Sequence, residues 1–325
     1  MKTIFMYSGQ GSQYYHMGAQ LYTSDRTFRQ QLDSFDDQLR TQWGHSVLAL
    51  MYAPQSKKTK AFDDVVLSSL AIFMVEQSLT ETLVQYGCRP DGILSVSMGA
   101  LAATCASGAV SHHAMLEATL KMAEGVRRSC VAGAMLAILA PPALYDNNHA
   151  LRQSSVIAAV NTPIHFVISL PRSKVATVED FLSEKKVAFQ RMPVSHAYHS
   201  CWIDPARDDF FSVFARVRHT QSLIPMNLCS IPALQHSSPT QALWNAIRLP
   251  MRLRETIRHF EQSGPCHYID LGPSGTLATL LKYILPPQSR SRVHAILTPL
   301  GEDDRNLHAT LAADMMYSEA SSKSP

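Results

Sequence analysis

The sequence predicts an α/β fold with a smaller α+β unit set into it. Three observations carry that reading. Short β-type runs alternate with helical periods in the first and last thirds, the middle switches to closely spaced short strands, and 325 residues at 46% hydrophobic content can bury a large core. The core is assigned to residues 1–126 and 194–310 and the smaller unit to 127–193. The small, polar stretch 311–325 is expected to be a disordered tail.

Taken in order, Thr3-Ile4-Phe5-Met6-Tyr7 reads as the first strand and breaks into Ser8-Gly9-Gln10-Gly11-Ser12-Gln13. Two glycines there let the backbone approach a ligand at a strand-to-loop junction, where open α/β sheets bind. Residues 14–52 have a helical pattern. Over 63–86, Val66, Leu70, Phe73, Met74, Leu79 and Leu83 recur at helical spacing and predict a long core helix feeding the strand Ile93-Leu94. Helices are expected over 100–106, closed by Gly108, and over 115–126. Short strands follow at 135–139, 156–160 and 165–169, then a helix at 175–185 and a strand at 188–192. Late core strands are expected at 268–271 and 293–299.

Composition excludes several functions. A formal charge of +3 with interspersed signs offers no basic stripe for nucleic acid. No apolar run approaches the roughly 18 residues of a membrane span, so a soluble, cytoplasmic protein is expected. The six cysteines lack C-x-x-C spacing and read as reduced thiols. His112 and His113 are adjacent, but without H-E-x-x-H spacing they read as a solvated loop pair, and no metal is expected.

The chemistry concentrates in residues 91–103, DGILSVSMGALAA. A short apolar strand ends in Ser-x-Ser-x-Gly and passes directly into small helix-favouring residues, the pattern of a strand turning sharply into a helix with Ser97 at the corner. A serine on such an elbow is pushed out of the sheet, and the N–H of Met98 points from the helix start at an oxyanion forming there. That suits acyl transfer. A serine hydroxyl still needs a base, and His196 and His199 in Val194-Ser195-His196-Ala197-Tyr198-His199-Ser200 compete for the role.

Together these motifs, with Met17-Gly18, Asn161-Thr162-Pro163, residues 245–250 and Leu271-Gly272-Pro273-Ser274-Gly275, resemble the malonyl-CoA:acyl-carrier-protein transacylase and polyketide synthase acyltransferase family over about residues 1–300. The resemblance implies a hydrolase-like α/β core with a ferredoxin-like subdomain at 127–193. It implies Ser97 as nucleophile, His199 as its base, and an oxyanion hole from the backbone N–H groups of Gln10 and Met98. The imidazole would be oriented by the carbonyl of Arg252 or of a neighbour in 249–252. Val96, Met122, Asn161, His196 and Tyr198 would lie at the substrate pocket. It implies a monomer with no cofactor of its own, acting on an acyl thioester whose phosphopantetheine is carried by an acyl carrier protein.

The sequence departs from the family at the elbow, which the family writes Gly-His-Ser-Leu-Gly-Glu and this chain writes Ser95-Val96-Ser97-Met98-Gly99-Ala100. It departs again 25 residues after the serine, where an arginine should pair with a malonyl carboxylate and Met122 stands instead. Burying that carboxylate unpartnered costs several kcal/mol. Recruitment of Lys121, Arg127 or Arg128 is the competing reading. The lost arginine and the run from Phe5 to Tyr15 look like the stand-alone acyl hydrolases of trans-acyltransferase polyketide systems. A serine hydrolase releasing uncharged acyl groups, acetyl and longer, from carrier thioesters is therefore expected. A trans-acting acyltransferase loading acetyl or malonyl units and a catalytically silent carrier-docking protein are the alternatives. An unrelated esterase is disfavoured by order, since Asp204 follows His199.

Overall fold

The computed structural model describes residues 1–229 and 238–322. At its centre is β1 (Lys2–Tyr7), buried from its second residue to its last and therefore covered on both faces. The helical stretch expected after it is divided into α1 (Ala19–Ser24), α2 (Arg26–Trp43) and α3 (Val47–Met51). Asp25 accepts from the Phe28 N–H at 2.8 Å and opens α2; Gly44, at φ +77°, closes it. Helix α4 (Val65–Gln85) is buried around nearly its whole circumference, including Glu76, Gln77 and Ser78, so it runs through the core and not along its surface.

Next come β2 (Gly92–Ser95), α5 (Gly99–Ala106) and α6 (His112–Ser129). The chain then builds β3 (Gly133–Ile138), α7 (Ala143–Asp146), α8 (His149–Ser154), β4 (Val156–Thr162), β5 (His165–Pro171), α9 (Arg172–Glu184) and β6 (Phe189–Arg191). These strands form a separate antiparallel sheet of order β4-β5-β3-β6. Its β-α-β-β-α-β sequence is the ferredoxin-like arrangement. Leu136, Ile138, Phe166, Ile168 and Leu170 face Val175, Val178 and Leu182 of α9 in its own small core.

After a 3₁₀ turn (Cys201–Ala206) the chain returns to the larger unit with α10 (Arg207–Phe214), β7 (Met226–Asn227), α11 (Pro239–Arg248), α12 (Leu253–Gln262), β8 (Cys266–Asp270), α13 (Thr276–Ile284), β9 (Arg292–Ala295) and α14 (Asp303–Ser322). The core sheet is fully parallel, in the order β7-β2-β1-β8-β9. Tyr7 lies opposite Ser95, and Met6 opposite Asp270. The parallel register thus brings the carboxyl ends of β1, β2 and β8 to one edge, and with them the loop after Tyr7, the elbow at Ser97 and the turn after Asp270. The small sheet is tied to that edge: Met251 N–H donates to Ala158 O at 2.8 Å, and the Gly133 N–H to Ser195 O at 2.8 Å.

Two expectations are corrected. The tail expected to be disordered from residue 311 is helical as far as Ser322, with 323–325 outside the described residues. Its anchor is polar, which is why its composition misled: the buried Asp314 carboxylate accepts from Thr3 Oγ1 at 2.7 Å and from His267 Nδ1 at 3.3 Å. Tyr317 stands edge-on to the His267 ring. His112 and His113 are not in a loop but open α6, His112 reaching Glu81 at 3.5 Å and meeting Phe35 edge-on. Among the described residues no helix is long and apolar enough to cross a membrane, and no three His, Cys, Asp or Glu side chains converge as metal ligands.

Replacing the clamp at Asp314 removes the acceptor for two buried donors. Asp314→Ala is expected to lower stability by about 1–3 kcal/mol, seen as a lower melting temperature. An unchanged melting curve would mean that α14 is held by its apolar contacts alone.

Candidate active site

The elbow is a product of close approach. Val96 N–H still donates to Tyr7 O at 2.9 Å, as a ladder partner would, but Ser97 turns to φ +57° and α5 begins two residues later. A non-glycine residue there costs on the order of 1–3 kcal/mol. Its surroundings hold it in place. A side chain at Gly99 would lie 2.5 Å from Ser8 O, and one at Gly9 would lie 2.5 Å from Ser97 Cβ, so both positions exclude any side chain. Ser95, where the family has glycine, is fully buried, and its hydroxyl has no partner among the described residues.

Ser97 Oγ lies 2.8 Å from His199 Nε2, and His199 Nδ1 lies 2.7 Å from Leu249 O. A carbonyl can only accept, so Nδ1 carries the proton and Nε2 presents its lone pair to the serine hydroxyl. Burial lowers the His199 pKa to about 4; the Leu249 bond opposes this and the Arg248 charge adds to it. The imidazole is neutral at pH 7 and able to take the proton.

The orienting carbonyl is that of Leu249, not Arg252. Pro250 bars α11 from continuing, and Leu249, at φ −89° and ψ 157°, turns its carbonyl out of the helix toward His199. Arg248 fixes this turn by a two-pronged pair with Asp204 at 2.5 and 3.0 Å. Arg252 instead stands at the start of α12, where its carbonyl accepts from Thr256 N–H and Thr256 Oγ1.

The loop after β1 is fastened by its side chains. Gln10 Nε2 donates to Ser69 Oγ at 2.6 Å, and Gln13 Nε2 donates to Phe62 O and Pro193 O at 2.6 Å each. The backbone N–H groups of Gln10 and Met98 have no acceptor among the described residues. Both flank Ser97.

Loop, elbow and small sheet enclose a cleft of about 540 Å³ that contains Ser97 and His199. Val96, Met135, Val167, Met192, Met251 and Leu253 give its wall an apolar character, and Asn161 and Tyr198 also line it. Asn161 Nδ2 meets His165 Nδ1 at 3.1 Å; burial lowers the His165 pKa, so that ring is neutral too. Among the described residues, no Asp, Glu, Lys or Arg lines the cleft. Two expected pocket residues are not in the wall. His196 turns aside to Ser195 Oγ, and Met122 is 3% exposed on the face of α6 that packs into the main core. Sequence reasoning missed His165, whose only signal is its polar placement in a strand, and it included Leu249 among 249–252 without singling it out, although the proline after a helix is its signal.

Residues 4–320 match the acyl transferase domain family. The chain belongs to this family. It is 37% identical over 305 residues to the polyketide biosynthesis acyltransferase homolog PksD of Bacillus subtilis (strain 168), and 38% identical over 304 residues to the homolog BaeD of Bacillus velezensis. Each alignment covers 94% of both chains. Solved structures of other acyl transferases share the fold. The acyltransferase domain from module 8 of the salinomycin polyketide synthase aligns with a TM-score of 0.82 at 19% identity, over 97% of this chain and 75% of that one. MCAT from Streptococcus pneumoniae aligns with a TM-score of 0.77 at 22% identity, over 96% of this chain and all of that one. This acyl transferase domain thus carries its serine–histidine pair on the family's two-sheet architecture.

Two outcomes are expected. His199 is protonated in the folded protein only toward pH 4, so the rate of Ser97 acylation should stay level from pH 8 to about 5 and fall as pH drops further. A midpoint near 6.5, read from acylation rate against pH, would contradict the buried neutral base. Met122→Arg would place an unpaired cation in the core; it is expected to destabilise the fold by several kcal/mol in a denaturant titration and not to create a carboxylate site.

Proposed function

We propose that this acyl transferase domain is a serine acyl hydrolase that releases uncharged acyl groups, acetyl and longer, from acyl-carrier-protein thioesters in polyketide biosynthesis. The observation that carries the reading is the cleft wall: among the described residues, no Asp, Glu, Lys or Arg lines the cleft that holds the Ser97–His199 pair. A malonyl carboxylate would enter without a cation to meet it, whereas an alkyl chain gains from the same surface, at about 0.8 kcal/mol per buried CH₂. Methionines at 135, 192 and 251 suit chains of varied length because their side chains repack readily.

In the first half of the reaction Ser97 Oγ attacks the thioester carbonyl while its proton passes to His199 Nε2. The carbonyl oxygen becomes an oxyanion received by the N–H groups of Gln10 and Met98. The C–S bond then breaks, and the imidazolium returns its proton to the departing phosphopantetheine thiol. Acyl-Ser97 remains. In the second half water gives a proton to His199 Nε2 and attacks the ester carbonyl, the bond between the acyl carbon and Ser97 Oγ breaks, and the imidazolium returns its proton to Ser97 Oγ as the free acid leaves. No cofactor takes part beyond the carrier's own arm. A transferase reading, in which a second carrier thiol replaces water, is favoured by the names of the relatives, both called acyltransferase homologs.

Acetyl- and malonyl-loaded carrier protein, mixed separately with the protein and followed by mass spectrometry, test this. Free acetate and an acetyl mass on Ser97 are expected, with malonyl turnover much slower. Ser97→Ala should acquire no acyl mass, and His199→Ala should slow acylation by roughly two to four orders of magnitude. Preference for the malonyl carrier would overturn the substrate assignment, and acyl transfer to a second carrier in place of acid release would replace hydrolase by transferase.

A further inference from the structure

Glu76 lies in the middle of α4, 0% exposed, and no cation pairs with it among the described residues. Burial, opposed by the bond from the Ser8 N–H and reinforced by the charge of Asp270, pushes its pKa well above the usual carboxylate range. A carboxyl group deep in a core needs a reason. Its Oε1 accepts from the Ser8 N–H at 2.7 Å and lies 3.2 Å from Ser8 Oγ, while Oε2 has no partner among the described residues. A glutamate that serves only one residue, and leaves half of itself unsatisfied, is placed for that residue.

Ser8 is the first residue of the loop after β1, two before Gln10. It is gripped from the opposite side as well: a side chain at Gly272 would come within 2.2 Å of Ser8 Oγ, so the turn after β8 lies hard against it. Ser8 Oγ donates to Ser12 Oγ at 2.9 Å, and Ser12 Oγ donates to Gly9 O at 2.8 Å, which carries the constraint across the loop. Gly9 in turn touches Ser97. From α4 to the elbow, each contact fixes the next.

We propose that Glu76 is a positioning residue for the oxyanion-binding loop: by accepting from the Ser8 N–H it sets where the Gln10 N–H points. It touches no substrate. The inference rests on the acyl-Ser97 reading, because it assigns the loop a role in receiving the oxyanion. Loss of the acceptor leaves a buried N–H unpaired and lets the loop shift, and a misplaced oxyanion donor lowers the chemical step without weakening ground-state binding.

The experiment compares wild type, Glu76→Gln and Glu76→Met. It measures the single-turnover rate of Ser97 acylation from an acetyl thioester and, separately, the affinity for a thioether analogue that cannot react. Glu76→Gln keeps an acceptor oxygen at the same reach and is expected to hold the acylation rate within about fivefold. Glu76→Met is expected to lose roughly tenfold to a hundredfold in acylation while its affinity for the thioether is unchanged. Should Glu76→Met not fold, Glu76→Asp, one methylene short of Ser8, takes its place with the same expectation. Wild-type acylation by a folded Met or Asp variant would overturn the proposal, as would a Gln variant as slow as they are. Parallel loss of thioether affinity would also overturn it, showing a deformed cleft. If wild type itself takes up no acetyl group at Ser97, the acyl-serine reading fails, and the role of Glu76 with it.

Discussion

The approach of the β1 and β2 ends to within contact distance constrains everything else at the site. With Tyr7 opposite Ser95 in the parallel register, the two chains leave the sheet side by side, and only glycine fits where they cross at Gly9 and Gly99. That contact forces Ser97 into a left-handed conformation, lifts its hydroxyl above the sheet edge and starts α5 directly behind it. A wider separation would let Ser97 relax to an extended conformation and withdraw into the sheet. The strain is maintained by packing around it, from β8 on one side and α4 on the other.

Burial then determines the electrostatics. His199 is oriented by a carbonyl and not by a carboxylate, so burial outweighs the Leu249 bond that favours the imidazolium, and its pKa falls to about 4. Such a base is weak, but its conjugate acid is correspondingly strong and readily protonates a departing thiolate or alkoxide. Asp270 follows the same logic from the opposite sign. Burial raises its pKa to about 6 while the N–H groups of Ala278 and Gly272 hold it down, and it serves by capping α13. The cleft is a low-dielectric region that, among the described residues, no Asp, Glu, Lys or Arg lines.

What the sequence made legible was whatever local pattern dictates. The strand 2–7, the long helix α4 and the elbow follow from periodicity and from small residues at a corner, and the antiparallel unit from the change in strand spacing. The rest depends on partners distant in the chain. Helix α14 looked like a tail because its anchor is a polar pocket made with Thr3 and His267. The strand Met226–Asn227 is too short to carry a period. Leu249 was narrowed to four residues but not singled out, because which carbonyl faces an imidazole depends on where a helix stops. Met122 shows the same limit: counting along a helix gives a position, yet whether it faces a cleft or the core depends on what packs between them.

Met122 also relocates the departure from the family. The lost arginine matters less as a residue at one position than as part of a wall that, among the described residues, holds no Asp, Glu, Lys or Arg, so the proposed preference for uncharged chains would be spread over Met135, Val167, Met192, Met251 and Leu253. Hydrolysis and transfer then differ only in what occupies the space the thiol vacates. Asn161, His165 and Gln190, on the small sheet, give the cleft polar groups to which the water of the proposed hydrolysis would hydrogen-bond. The small sheet therefore lends the cleft both apolar and polar side chains, Met135 and Val167 beside Asn161, His165 and Gln190, and the core lends it Ser97, His199, Met251 and Leu253.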